Sequence, residues 1–160
     1  GTGYDRLRLE YEKIIAYSDD RDYITDEDIL AVTGEDIESK IFDLLGAVCS
    51  GNRKLTLEKY SDLISNREHP LYILAMLRMQ FRQMLQCADL FSGGYSDYEI
   101  ADRVGKRDFV VRKMREYVRK FPLERIEMVI DDINETDKNI KTGHVNEQVG
   151  VELLIIGLLG

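Results

Sequence analysis

Cysteine, histidine, proline and tryptophan are scarce in this 160-residue chain, which has two, two, two and none of them. Cys49, Cys87, His69 and His144 form no Cys-x-x-Cys pair. They cannot supply a zinc quartet in any usual spacing, nor a multi-bridge disulfide scaffold. Both cysteines fall in apolar, helix-like surroundings, which predicts buried free thiols in a reducing compartment. Long apolar runs are also lacking. Even residues 153–159 fall far short of the roughly 20 residues a membrane span needs. No charged, then apolar, then small-residue segment marks a secretory leader at the start, so the chain reads as soluble and cytoplasmic. Positive charge is in deficit, with 22 basic against 30 acidic residues and a net charge of −8. That excludes a protein that grips nucleic acid with its whole surface, because phosphate neutralisation needs clustered Lys and Arg.

What remains is globular, at 44% hydrophobic and 32% charged residues. The length suits one domain, or one domain and part of a neighbour. No stretch alternates with period two for long enough to make a strand, and the periodicity is helical nearly throughout. Pro70 precedes Leu71, Leu74, Leu77, Phe81, Leu85 and Ala88, an apolar stripe at steps of three and four. Pro122 precedes Leu123, Ile126, Val129, Ile130, Ile133 and Ile140 in the same rhythm. Proline is tolerated in a first helical turn, where its missing N–H has no intrahelical partner. Helices are therefore expected over 70–92, ended by Gly93-Gly94, and over 122–141, with Gly143 as a left-handed cap.

Others are expected at 4–17, 25–32, 36–50 (Ile37, Ile41, Leu44, Leu45 and Val48 inward) and 52–66 (Leu57, Tyr60, Leu63 and Ile64 inward). Ser96 opens a short helix to Val104, a longer one runs from Asp108 to Phe121, and Asn146 starts the last, with Val149, Leu153, Ile156 and Leu159 inward. The reading is an all-α bundle of eight to nine helices, with a seam near Thr33-Gly34 between a small N-terminal piece (1–33) and the larger bundle (34–160).

No catalytic or cofactor-binding residues emerge. A phosphate loop needs Gly-x-x-x-x-Gly-Lys-Ser/Thr after a strand, so that successive N–H groups and one lysine wrap the phosphates. Gly105-Lys106 is followed by Arg107 and follows no strand. Nucleophilic catalysis needs a base within reach of the nucleophile. His69, beside Pro70 at a helix start, reads as an exposed or capping residue, and His144 sits in a turn.

Two features stand apart. Asp137 continues the inward stripe of Ile130 and Ile133 toward Ile140, with Lys141 four residues on. A carboxylate there is costly to bury unless paired. The two form either a polar contact in the core or at an interface, or a half-exposed surface pair. The second feature is a basic hairpin. Residues 103–120 hold eight basic and two acidic side chains, a local +6 that leaves −14 elsewhere. With Arg103, Lys106, Arg107, Arg112 and Lys113 around a glycine turn, residues 96–120 are compatible with a helix-turn-helix nucleic-acid binder, with plain core packing, or with a dock for an acidic partner.

The segments also resemble, in order, the C-terminal half of the delta subunit family of bacterial DNA polymerase III, part of the clamp loader. Glu10, Lys13-Ile14, Tyr17, Ile24-Thr25 and Asp28-Ile29 are similar to the end of that family's lid domain. Ile41-Phe42-Asp43-Leu44 with Ala47-Val48 is similar to the start of its collar domain. Pro70-Leu71, Ile73-Leu74, Gln80-Phe81-Arg82 and Met84-Leu85 resemble its long central helix. Glu99-Ile100-Ala101, Val104-Gly105, Phe109-Val110-Val111, Lys113, Phe121, Asp137, Lys141 and Gly143 complete the series.

The resemblance implies a non-catalytic scaffold without a cofactor. Its lid remnant would span 1–33 and its collar 34–160, and the collar would hold delta in the loader ring with gamma/tau and delta prime. It also implies that sliding-clamp opening belongs to an AAA+-like N-terminal domain that this sequence lacks, as an expressed fragment would, and that DNA is met only through the complex. Interface positions expected from exposed groups near the ends of the long helices and on the last helix are Arg78, Gln83, Glu147 and Glu152.

Overall fold

The computed structural model describes residues 35–160. The expected helices at 4–17 and 25–32, and the lid-like residues among them, lie outside the described residues. Seven helices follow one another: α1 (Glu35–Cys49), α2 (Arg53–Ser65), α3 (Pro70–Ser92), α4 (Asp97–Val104), α5 (Asp108–Lys120), α6 (Leu123–Lys141) and α7 (Glu147–Leu158). Among the described residues there is no strand, and no helix is long and apolar enough to cross a membrane.

The helix starts come from local chemistry. Each first turn leaves N–H groups without an intrahelical acceptor, and a side chain just before the helix can fill that role. Asn52 Oδ1 accepts from the Leu55 N–H at 3.0 Å. Ser96 Oγ accepts from the Glu99 N–H at 3.2 Å and donates to the Glu99 carboxylate at 3.0 Å. Asn146 Oδ1 accepts from the N–H groups of Gln148 and Val149. At α3 the acceptor is His69 Nδ1, 3.3 Å from the Leu71 N–H, with Pro70 in the first turn. The turn between α4 and α5 needs a left-handed residue, and Gly105 supplies it with φ 69°.

α3 is the central post, packed against α1, α4, α5, α6 and α7, while α2 lies along α1. Its first twelve residues, Pro70 to Phe81, are all buried. A one-sided stripe was expected, so the sequence reading underestimated how fully this helix is enclosed. Tyr72 and Phe81 of this helix, with Phe121, Ile41 and Leu44 around it, are among the largest fully buried side chains. Each such side chain contributes about 1.5–3 kcal/mol relative to exposure. Phe81 and Phe121 meet at a tilted 5.8 Å. The inward face expected for α1 is buried as read. Elsewhere Leu57, Ile64 and Leu123, expected inward, are exposed.

α7 departs most. It buries Gly150, Val151, Leu154, Ile155 and Leu158 and turns Val149, Leu153 and Ile156 to solvent. Its packed face is therefore the one opposite to expectation.

Cys49 and Cys87 are buried free thiols. Burial pushes them up to about 12 and about 11 respectively, with Arg125 pulling Cys49 partway back. Another close approach fixes how α5 meets α1. A Cβ placed on Gly46 would lie 2.6 Å from the Tyr117 hydroxyl, and that ring is tilted against Phe42 at 5.5 Å. Gly46→Ala should therefore cost about 1–3 kcal/mol in urea unfolding. Adding Tyr117→Phe should recover part of that loss, because the nearest clashing atom is gone.

Candidate subunit interface

α7 is held at both ends by side chains from elsewhere in the bundle, so its outward face keeps a fixed position. At the start, His69 Nε2 lies 3.2 Å from Glu147 Oε1. At the end, Arg53 Nε donates to the Leu159 carbonyl at 3.3 Å and an Arg125 nitrogen donates to the Leu158 carbonyl at 3.2 Å. Guanidinium groups on a helix's last carbonyls offset its negative C-terminal end. Between these anchors Val149, Leu153 and Ile156 share one outward face, and Leu153 keeps 60% of its surface exposed. Beside them a groove of about 370 Å³ runs between α6 and α7, with Gly150, Leu153 and Gly157 on one side and Asp132 and Glu135 on the other. An apolar ridge beside a groove with an acidic flank can seat a helix whose basic side chains meet that flank.

The expected interface residues scatter. Glu152 is exposed beside Leu153 on α7, and its charge adds to burial in raising the Tyr60 hydroxyl above its ordinary value. Gln83 is half-buried on α3, lining a different groove with Phe42 and Phe109. Glu147 is engaged by His69. Arg78, expected to be exposed, is a correction: only 5% of its surface is accessible. α3 is covered on that side by α6, where Asp137 Oδ2 stands 3.8 Å from the Arg78 guanidinium. The same carboxylate oxygen accepts from Lys141 Nζ at 2.9 Å. Asp137 thus joins a buried cation of α3 to an exposed cation of its own helix. Sequence spacing placed Lys141 beside it but could not reveal Arg78, 59 positions away in the chain.

The basic hairpin divides in the same way. Lys106 is paired with Glu38 of α1. Arg115 pairs with Asp97 at 2.7 Å and lies over the Phe91 ring, and Arg103 lies over Tyr95. Arg107, Arg112 and Lys113 remain exposed on the turn and on the outer side of α5. The interior of that helix, Val111 and Met114, is buried in the core.

His69 carries a pH dependence. Its Nδ1 must be unprotonated to accept from Leu71, which leaves the proton on Nε2, facing Glu147. Burial lowers its pKa from the usual 6.5, against the opposing pull of Glu147. The folded state therefore takes up a second proton, on Nδ1, less readily than the unfolded chain. The contribution is complete above pH 6.5 and is lost as pH falls through that value toward the folded pKa. The cap is worth about 1 kcal/mol. His69→Asn keeps an acceptor for the cap and should flatten the dependence of unfolding free energy on pH around 6.

Comparison with known proteins bears on what this bundle belongs to. The family model described as DNA polymerase III delta subunit, C-terminal domain, matches residues 38–158, which is most of the chain and all or part of every helix described. The chain belongs to the DNA polymerase III delta subunit family. Among curated delta-family proteins it is 29% identical over 150 residues to DNA polymerase III subunit delta of Bacillus subtilis (strain 168), covering 94% of this chain and 43% of that protein. Among solved structures it is similar to the Bacillus subtilis DNA clamp loader delta protein, with a TM-score of 0.72 and 28% identity, covering 94% of this chain and 44% of that one. The delta-family chain therefore spans less than half the length of these relatives. The resemblance read from Ile41, Pro70, Phe81 and Phe121 onward is thus confirmed, and so is the all-α fold.

The exposed α7 face is what sequence reasoning missed. The available signal was an apolar residue at every turn position of 149–159 save Gly150, Glu152 and Gly157. A helix that is apolar all round exceeds what one packed face can bury.

Proposed function

We propose that this chain is the oligomerisation part of a clamp-loader delta subunit, with the collar in residues 34–160 and the end of the lid in 1–33. The outward face of α7 seats a neighbouring loader subunit, gamma/tau or delta prime. The chain performs no bond-making chemistry. Opening of the sliding clamp, and any hold on DNA, belong to the assembled complex.

The observation that carries this reading is the anchored, exposed row of Val149, Leu153 and Ile156 on a bundle whose other helices fill a common core. Stable assembly interfaces bury at least about 1,000 Å² and are apolar at their centre with a polar rim. The α7 ridge supplies such a centre, and Glu152, Asp132 and Glu135 supply rim charge. Family membership supports a loader subunit as the partner. At micromolar concentration the chain is expected to co-elute on size exclusion with the cognate gamma/tau subunit as one earlier peak. If no cognate loader subunit shifts its elution, this reading fails.

A further inference from the structure

A second groove, with no α6 residue in its lining, is built differently. It holds about 600 Å³ between α1, α3 and the α4–α5 turn. Phe42, Phe109 and Val110 give it apolar walls, and Phe109 is itself substantially exposed. Gln80 lines it with only 2% of its surface accessible, and its Oε1 has no hydrogen-bond partner. A buried acceptor left without a donor costs folding free energy, and native interiors rarely tolerate one. An apolar side chain of the same size would be the more stable choice at that position. Charge at the mouth is also specific. Lys106 is neutralised by Glu38, so Arg107 is the cation of the lining left exposed and unpaired among the described residues.

We propose that this groove binds a short acidic and apolar peptide segment of a partner protein. An apolar side chain of the segment lies against Phe42 and Phe109, a carboxylate meets Arg107, and a backbone N–H donates to Gln80 Oε1 once that carboxamide turns outward from its buried, unpartnered position. This site is separate from the α7 face and does not depend on the loader reading. A peptide fits better than a nucleic acid strand. A phosphate backbone needs a row of cations at each successive charge, whereas this lining offers one free guanidinium and a Lys106–Glu38 pair. The apolar walls and the unpartnered Gln80 carboxamide suit a segment that carries amide donors and an apolar side chain.

The test is fluorescence anisotropy of the 160-residue chain with a short fluorescein-labelled peptide alternating glutamate and leucine. The same peptide with lysine for glutamate, and labelled oligothymidylate, serve as comparisons. The acidic peptide is expected to saturate at micromolar chain. Arg107→Glu should weaken it at least tenfold. Gln80→Leu should weaken it several-fold while raising Tm, because the unpaired acceptor is removed from the core. Leu153→Arg should leave it unchanged, which separates this site from the α7 face. Equal binding of the lysine peptide, indifference to both groove variants, or binding of oligothymidylate in preference to the acidic peptide would each overturn the proposal.

Discussion

Leu153→Arg is expected to abolish co-elution with the cognate loader subunits and to leave the unfolding free energy of the isolated chain within about 0.5 kcal/mol of the wild type. The two halves of that result have different causes. Leu153 is already mostly in water, and leucine and arginine have similar helix propensities, so folding gains or loses little. At the centre of an interface the same change places a charge where the neighbour presents apolar surface. Central positions of this kind carry about 2 kcal/mol or more of binding energy when merely truncated, which is over tenfold in affinity. A buried unpaired charge adds to that loss. Val149→Arg and Ile156→Arg should act in the same direction. Glu152→Lys, at the rim, should alter the salt dependence of association more than its strength at moderate salt. Loss of stability in parallel with loss of binding would show that the face is part of the core after all.

Phe81→Ala is the opposite experiment, removing stability from within. Phe81 is fully buried on the central helix and meets Phe121 across the bundle. Truncating a buried phenylalanine costs about 3–5 kcal/mol, because the transfer energy of the ring is lost and the remaining cavity relaxes only in part. Domains of this size are stable by about 5–15 kcal/mol, so about a fifth or more of the total goes. The urea midpoint should fall with an unchanged slope, and Tm should drop by on the order of 10 °C. Phe121→Ala should cost a similar amount, and the double variant should cost less than the sum, because the two rings share one contact. Strict additivity would contradict the packing described.

The helix boundaries were legible because their causes are local. Asn52, Ser96 and Asn146 each accept a hydrogen bond two or three residues ahead, and Pro70 marks the first turn of α3. Such signals need no knowledge of the rest of the chain. The faces were less legible because burial depends on what arrives from elsewhere. α3 shows a clear stripe, yet five other helices surround it, and they enclose Arg78 and Gln80 on sides that periodicity assigns to solvent. α7 is apolar on nearly every side, so spacing alone could select either face, and it selected Val149, Leu153 and Ile156 instead of Val151, Leu154, Ile155 and Leu158. That misreading concealed the candidate interface, since residues assigned to the core were not considered as contact positions. The expected interface charges fared unevenly for a related reason. Arg78 and Glu147 have structural partners that only the tertiary arrangement supplies, while Glu152 sits beside the exposed row. The ordered set of short segments spread along the chain identified the family, because order and spacing survive where single residues are ambiguous.

Hydrogen–deuterium exchange of the chain, free and in complex with the cognate gamma/tau subunit, tests the central claim most directly. The account predicts slowed exchange across residues 147–158 on assembly, with residues 108–120 little changed. Protection confined to 108–120, or a stable complex with no change across 147–158, would contradict it.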